Sequence, residues 1–187
     1  MNNKSRTVNL SEFSPTDFDK GAAKFKIVLW YFVNVLFVIP SWNPVRGVKI
    51  ALLRFFGAKI GKGVVIKNKV NIKYPWKLVC GDYVWLGEEC WIDNLDDVVI
   101  GNNVCISQGA LLLTGNHDYT ISSMPYRNAP IVIEDGAWIG AKSTVCPGVT
   151  VHRNAILTVG SILTKDAQPY GIYQGNPAKY IRDRIIS

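Results

Sequence analysis

Large aliphatic residues recur at every sixth position between residues 60 and 163. The recurrence falls into four series, at 60–78, 80–98, 100–112 and 133–163, and the phase shifts between one series and the next. A helix repeats with a period near 3.6 and an ordinary strand with a period of two, so a period of six indicates neither. The pattern predicts an all-β solenoid, a parallel β-helix in which each six-residue unit forms one flat strand and one corner.

Small residues occupy two further positions of the repeat. In the last series, the residue four places after each large aliphatic residue is small or β-branched: Ala137, Ser143, Val149, Ala155, Ser161 and Ala167. Glycine often follows the large residue directly, at Gly61, Gly81, Gly87, Gly101 and Gly140. We expect the small residues to fit the crowded corners and the glycines to supply the positive φ that some corners need.

Two apolar segments precede the repeats. Residues 22–39 are apolar on nearly every side and are followed by Pro40, whereas residues 46–56 have amphipathic helical spacing. Both are predicted to be helices. The first is shorter than the roughly 20 residues that a bilayer span requires. It is therefore either a helix buried against the open end of the solenoid, which we favour because a cap protects the core edge, or a helix in a membrane interface.

Length and composition indicate one folded unit. The chain has 187 residues, of which 48% are hydrophobic and 19% charged, as in globular proteins and unlike disordered ones. We predict an N-terminal arm with two helices at 1–57, a β-helix domain at 58–170 with an inserted loop at 114–130, and a short C-terminal tail at 171–187.

Positive charge is concentrated in the N-terminal arm. Residues 1–60 contain nine Lys/Arg and three Asp/Glu, whereas the remaining 127 residues contain twelve and eleven. A basic segment is typical of proteins that meet a membrane surface, a nucleic acid or an acidic substrate, and a solvated basic tail is the alternative. We predict no nucleic-acid partner and leave open a peripheral contact with the inner membrane.

The four cysteines do not form a metal-binding pattern. Cys80, Cys90, Cys105 and Cys146 contain no CxxC pair and no histidine cluster accompanies them, so we expect reduced, mostly buried thiols and no metal site. The apolar stretch begins too late for a secretory signal and lacks a small-residue cleavage site. These features together predict a cytoplasmic protein.

His117 is the strongest candidate for chemistry. The chain has only two histidines, and His152 falls at a repeat position that is expected to face solvent. His117 instead lies where the six-residue rhythm stops, within the inserted loop at 114–130. Insertions into a solenoid commonly carry function, and histidine is the side chain best suited to accept a proton near neutral pH.

Several motifs resemble one known family. They are LTGNHDY at 113–119, IEDGAWIGA at 133–141 and GNPAKYIR at 175–182, and together with the repeats they are similar to the left-handed β-helix, hexapeptide-repeat acetyltransferases. The lead-in and the run NIKYPWK at 71–77 resemble most closely the branch that serves colanic-acid biosynthesis. The resemblance covers nearly the whole chain and implies left-handed winding.

The resemblance also implies a reaction. It predicts O-acetyl transfer from acetyl-CoA to a saccharide hydroxyl of a bacterial surface polysaccharide, by direct attack with His117 as the general base. Asp93 and Asn94 match the place where relatives keep a polar residue near acceptor and base; they and a backbone carbonyl are the candidates to orient the imidazole. The residues that match the donor site are Trp138, Ala141, Val159, Gly160, Thr164, Lys165, Lys179 and Arg182.

In the family each active site lies between two subunits of a homotrimer, so a homotrimer is expected here too. Three alternatives remain. The first is an N-acetyltransferase of an amino sugar, which would use the same fold and donor. The second is a zinc lyase of the same fold, which is disfavoured because such a site needs three histidines. The third is a non-catalytic trimeric scaffold, which the intact His117 loop argues against.

Overall fold

The structure is a computed structural model that describes residues 7–15, 18–41 and 46–187. Within these residues, seventeen short strands form three sheets, which make the sides of a prism. Sheet A contains β1 (Lys59–Ile60), β4 (Leu78–Cys80), β7 (Val98–Ile100), β10 (Ile131–Ile133) and β13 (Thr150–Val151). Sheet B contains β2 (Val65–Ile66), β5 (Trp85–Leu86), β8 (Cys105–Ile106), β11 (Trp138–Ile139), β14 (Ile156–Leu157), β16 (Gly171–Gly175) and β17 (Ala178–Asp183). Sheet C contains β3 (Asn71–Ile72), β6 (Trp91–Asp93), β9 (Leu111–Leu113), β12 (Thr144–Val145) and β15 (Ile162–Leu163).

From β1 to β15, consecutive strands visit sheets A, B and C in turn, and strands one coil apart pair in parallel. This is the parallel β-solenoid that the six-residue period predicts, so the predicted fold class is confirmed. The large aliphatic residues of all four series point inward and are buried, with only Ile60 at the open end partly exposed. The six small residues of the last series are buried as well.

The glycines directly after the large residues serve a different purpose from the one predicted. None of them has positive φ; the positive φ falls two residues later, at positions such as Gly63 and Asn103. A Cβ on Gly140 would lie 2.6 Å from the carbonyl oxygen of Leu157 in the next coil. These glycines are therefore required because neighbouring coils approach one another closely, not because the backbone turns left-handed.

The N-terminal helices cap the open end of the solenoid. Helix α1 spans Lys24–Val33 and continues as a π-helical turn, Asn34–Val38, while α2 spans Arg46–Phe55. The indole N–H of Trp30 donates to the carbonyl of Ile72, at 3.0 Å. Trp30, Val38, Leu53 and Phe56 join the core of the first coil. The predicted helices at 22–39 and 46–56 are thus present, and the first buries one face as a cap.

The C-terminal segment extends the solenoid instead of trailing from it. Strand β16 pairs in parallel with β14 of sheet B, and β17 folds back antiparallel along β16. The side chain of Arg184 then donates to the backbone carbonyls of Gly136 and Asn154 at a solenoid corner, at 3.0 and 3.2 Å. Residues 171–184 therefore form a hairpin and a corner contact that hold the end of the chain in place.

Candidate active site

The inserted loop at 114–130 leaves the corner between sheets C and A and closes on itself. Its two arms run antiparallel: the Arg127 N–H donates to the Asn116 carbonyl at 2.8 Å, and the Asp118 N–H donates to the Pro125 carbonyl at 2.9 Å. Such pairing gives the loop its own hydrogen bonds, so it projects from the prism as a defined structure.

Thr114 fastens the loop to the coil beneath it. Its buried hydroxyl donates to the Asp93 carbonyl at 3.0 Å and accepts from the Asp96 N–H at 2.9 Å. The next residue is Gly115, where a Cβ would lie 2.8 Å from Cδ1 of Leu95. The motif Thr-Gly therefore sets the loop directly on the preceding corner.

The imidazole of His117 is oriented by a backbone carbonyl. Its Nδ1 lies 2.6 Å from the carbonyl oxygen of Met124, on the opposite arm of the loop. Because a carbonyl oxygen only accepts, Nδ1 must carry the proton, and Nε2 of the neutral ring is left with its lone pair. This arrangement prepares His117 to accept a proton through Nε2. Of the three orienting groups considered from the sequence, the structure selects the backbone carbonyl.

Aromatic rings surround His117. Tyr126 stacks on the imidazole with ring centroids 4.9 Å apart, and Phe13 lies 5.7 Å away on another side. Leu10, Phe13, His117, Met124 and Tyr126 line a cleft of about 360 Å³. Sequence reasoning missed Phe13. The only signal for it is the apolar pair Leu10 and Phe13 on one helical turn, which indicates packing against something without saying what.

A second, more polar cleft lies on the far side of Tyr126. Its volume is about 380 Å³. The lining residues are Phe18, Asp19, Lys77, Leu95, Asp96, Tyr126, Arg127 and Asn128. The Lys77 ammonium is already engaged, since it donates to the carbonyls of Asp19 and Leu95 at 2.7 Å each. Asp19, Lys77, Asp96 and Arg127 are thus the charged residues of this cleft, which adjoins the apolar cleft that contains His117.

The two polar residues predicted to accompany His117 have other partners. Asn94 is fully buried, and its amide accepts from the Tyr74 N–H at 2.9 Å and donates to the Tyr74 carbonyl at 2.6 Å. Asn94 therefore holds two corners together and does not orient His117, which corrects that expectation. Asp93 forms an ion pair with Lys73, in which Oδ1 lies 2.8 Å from Nζ. The geometry of this contact is not that of a hydrogen bond.

Four of the predicted donor residues lie in sheet B or at the corner between sheets B and C. Trp138 lies in β11, and its indole N–H donates to Oγ of Ser107 at 2.9 Å. Trp138 and Trp85 line a groove of about 370 Å³ on the outer face of sheet B. Ala141 and Gly160 occupy successive B–C corners, and the Gly160 N–H donates to the Ala141 carbonyl at 2.9 Å. Val159 is exposed beside them.

The remaining predicted donor residues are exposed near the C-terminal end of the solenoid. Thr164 and Lys165 follow β15 at the last C–A corner, and Lys179 and Arg182 lie on β17. The three cations are solvent-accessible, as groups that bind phosphates must be before the ligand arrives.

The structure separates the predicted site residues into two groups. His117 and its cleft lie at the C–A edge of the prism, whereas Trp138, Ala141, Val159 and Gly160 lie on sheet B and at the B–C edge. Sheet C stands between the two edges. One chain thus carries His117 at one edge and the predicted thioester contacts at another.

The sequence is similar to a known repeat family and to a bacterial acetyltransferase. Residues 130–165 match the family model described as the hexapeptide repeat of succinyl-transferase. A protein of Escherichia coli K12 named as a colanic acid biosynthesis acetyltransferase, WcaF, is 37% identical over 179 residues, which cover 95% of this chain and 97% of the relative.

Solved structures share the fold. A hexapeptide-repeat acetyltransferase of Vibrio cholerae, crystallised with acetyl coenzyme A, superimposes with a TM-score of 0.80 at 19% identity, covering 90% of this chain and 93% of that one. A maltose O-acetyltransferase of Clostridium difficile superimposes with a TM-score of 0.69 at 22% identity, covering 87% and 86%.

Proposed function

The chain belongs to the family of hexapeptide-repeat acetyltransferases, and from this premise we propose that it transfers acetyl from acetyl-CoA to a saccharide hydroxyl with His117 as the general base. The observation that carries the proposal is the bond between Nδ1 of His117 and the Met124 carbonyl. It leaves Nε2 as the basic atom in a cleft where an acceptor has room to bind.

The proposed reaction is a direct displacement at the thioester. Nε2 of His117 removes the proton of the acceptor hydroxyl while its oxygen attacks the acetyl carbonyl carbon. The tetrahedral intermediate carries a negative oxygen, and the backbone N–H of Ala141 is the proposed donor to it. Collapse breaks the carbon–sulfur bond, and the leaving CoA thiolate takes the proton from the imidazolium. Proton and acyl group are balanced without an acyl-enzyme.

The donor is proposed to run along the B–C edge. The groove beside Trp138 and Trp85 and the stacked corners of Ala141 and Gly160 supply an apolar wall and backbone groups for a pantetheine arm. Lys165, Lys179 and Arg182 are exposed cations suited to the phosphates. The bound acetyl coenzyme A of the Vibrio cholerae structure supports this choice of donor.

A complete site would then need two chains. Because His117 and the Ala141 corner occupy different edges, a neighbouring subunit must bring its B–C edge to the His117 cleft. We infer a homotrimer with three such sites. Sedimentation of the protein at micromolar concentration measures this directly, and a monomer that still turns over would contradict the shared site.

The acceptor is proposed to be a sugar unit of a surface polysaccharide or its precursor. The name of the Escherichia coli relative supports colanic-acid-like polysaccharide, and the maltose enzyme of similar fold supports a hydroxyl acceptor. The two adjoining clefts suit a pyranose, because rings stack on aromatic side chains while Asp96 and Arg127 offer hydrogen-bond partners. Asp93 stays a proposed acceptor contact.

The test compares the two histidines of the chain. Thiol release from acetyl-CoA is measured with a panel of sugars, amino sugars and oligosaccharides for wild type, His117→Ala and His152→Ala. His152 pairs with Glu134 at 3.1 Å, away from the loop, and serves as the control. We expect turnover to fall at least ~100-fold in His117→Ala, the low end of general-base contributions, and to be nearly unchanged in His152→Ala.

The acceptor panel and binding data separate the possible failures. Equal turnover in wild type and His117→Ala would show that His117 is not the base. Preference for amines over hydroxyls would make the protein an N-acetyltransferase of an amino sugar. Failure of the wild type to bind acetyl-CoA in calorimetry would leave a non-catalytic scaffold.

A further inference from the structure

Helix α1 and its π-helical turn, Lys24–Val38, have two opposite apolar faces. The inner face meets the solenoid: Trp30 bonds to Ile72, and the Asn34 amide donates to Oδ1 of Asn71 at 2.8 Å. Capping the solenoid therefore buries only the inner face of the helix. The outer face is apolar as well, whereas a simple surface helix would carry polar residues there.

The outer face of this segment is apolar and exposed. It consists of Phe25, Val28, Leu29, Phe32, Val35 and Leu36, and we call it the N-terminal apolar face. Their spacing of three and four residues places them in one stripe along the helix. Phe25 is 74% exposed, and Phe55 at the end of α2 is 81% exposed. A contiguous apolar stripe of this kind marks an interaction surface more often than bare solvent contact.

The segment that carries this face has an excess of positive charge. Residues 20–81 contain twelve Lys/Arg and no Asp/Glu, and three of these cations, Lys62, Lys69 and Lys73, pair with carboxylates of the second coil. Lys24 lies at the start of α1, and Lys59 opens β1; both are exposed. An apolar helical face in a segment with an excess of basic charge suits a surface that is apolar within and anionic at its boundary, as an anionic bilayer is.

The segment suits the interface and not the interior of a bilayer. Among the residues that the structure describes, no helix is long and apolar enough to cross a membrane. Helix α1 also keeps its inner hydrogen bonds to the first coil, which would be lost if it left the solenoid.

We propose that the N-terminal apolar face docks the protein onto an anionic lipid surface while the same helix caps the solenoid. If the trimer of the proposed function forms, cyclic symmetry places all three caps at the same end, so that three faces meet one plane. Three weak contacts acting together bind far more strongly than one. The docking itself does not depend on the acetyltransferase reaction.

The test is flotation with lipid vesicles. The protein is mixed with vesicles of phosphatidylcholine alone or of phosphatidylcholine with phosphatidylglycerol, and the floated fraction is measured at low and high salt. The test variant is the double change Phe25→Ser and Phe32→Ser. The control is Ile185→Ser and Ile186→Ser, which removes two exposed apolar residues from the opposite end of the chain.

We expect the wild type and the control to float with phosphatidylglycerol vesicles, less so at high salt. The Phe25/Phe32 variant should bind roughly tenfold more weakly or worse, because each buried phenylalanine contributes to partitioning. Its thermal unfolding and its turnover with a soluble acceptor should match wild type, which shows that the cap and the site are intact.

Three results would overturn the proposal. The first is a wild type that does not float, and the second is a Phe25/Phe32 variant that floats as well as wild type. The third is a Phe25/Phe32 variant whose oligomeric state in sedimentation differs from that of a wild type that does not bind lipid. That outcome would assign the face to another copy of this chain. Loss of turnover in His117→Ala is unaffected by any of these results, so the two proposals fail separately.

Discussion

Two kinds of corner divide this molecule. The corners from sheet A to B and from B to C keep the six-residue rhythm in every coil, as between Ile60 and Ile66 or Ile66 and Ile72. The corners from C to A vary: Cys80 lies eight places after Ile72 and Ile133 twenty-one places after Leu112, whereas Val151 keeps the spacing of six after Val145. We call the C–A edge the irregular edge; it carries the inserted loop with His117.

The N-terminal segment also packs against the irregular edge. The Asn9 N–H donates to the Ser122 carbonyl at 2.8 Å, and the Trp76 indole donates to the Lys20 carbonyl at 2.7 Å. A stacked repeat has few ways to build a binding site, because each residue at a regular corner already meets the coils above and below. The proposed base, His117, accordingly lies where the repeat is interrupted.

The largest expected effect is on a regular corner. In Gly140→Ala the new Cβ meets the backbone of the next coil at 2.6 Å, and we expect a loss of about 2–4 kcal/mol in the free energy of unfolding. Gly109→Asn is the matched control. Gly109 has φ +64°, and Asn103, at the same repeat position of the preceding corner, already adopts φ +56°. Urea unfolding measures the loss of stability in both variants. Equal losses would contradict the role assigned to close coil contact.

The next effect concerns the base of the irregular loop. Thr114→Val keeps the shape of the side chain but removes both hydroxyl hydrogen bonds, to Asp93 and from Asp96. We expect a loss of about 1–2 kcal/mol in stability and a larger proportional loss of turnover, because the loop carries His117. Thr114→Ser retains the hydroxyl and should recover most of both. Turnover equal to wild type in Thr114→Val would show that the loop holds its position without this anchor.

A smaller effect is expected at the wall of the His117 cleft. Phe13→Ala should leave thermal unfolding nearly unchanged and raise the acceptor KM about three- to tenfold, the scale of one aromatic contact. Phe13→Tyr keeps the ring and serves as the control. Steady-state kinetics with the best acceptor measure both. A change in kcat alone would instead place Phe13 in the orientation of His117.

The smallest effect tests the regular core. Burial raises the pKa of the Cys80 and Cys90 thiols to about 12. Both should stay unreactive towards a disulfide reagent at about pH 8 in the native protein and react once it is unfolded. The unfolded thiols ionise at lower pH, so these residues favour unfolding only as pH rises from about 9 towards 12. Rapid native reaction of Cys80 would mean that the coil opens.

The regular part of this protein could be predicted from its amino-acid pattern. The period of six identifies the solenoid and its inward residues, because one side chain per unit must fill the prism. Motifs near His117 and after β15 identified the family. The assignment of the corner glycines failed, since positive φ and close approach both favour glycine and only neighbouring coils distinguish the two.

The contacts at the irregular edge could not be predicted and became known from the folded chain. The Met124 carbonyl as partner of His117 and Phe13 as a wall of the cleft join residues that no repeat relates. Asn94 bonds to Tyr74 one coil away, at a corner where the six-residue spacing gives no indication of the contact. The same holds for the two faces of α1, where hydropathy alone could not tell a cap from an interface helix. Periodic contacts are encoded once and repeated, whereas these contacts each depend on where a separate segment comes to rest.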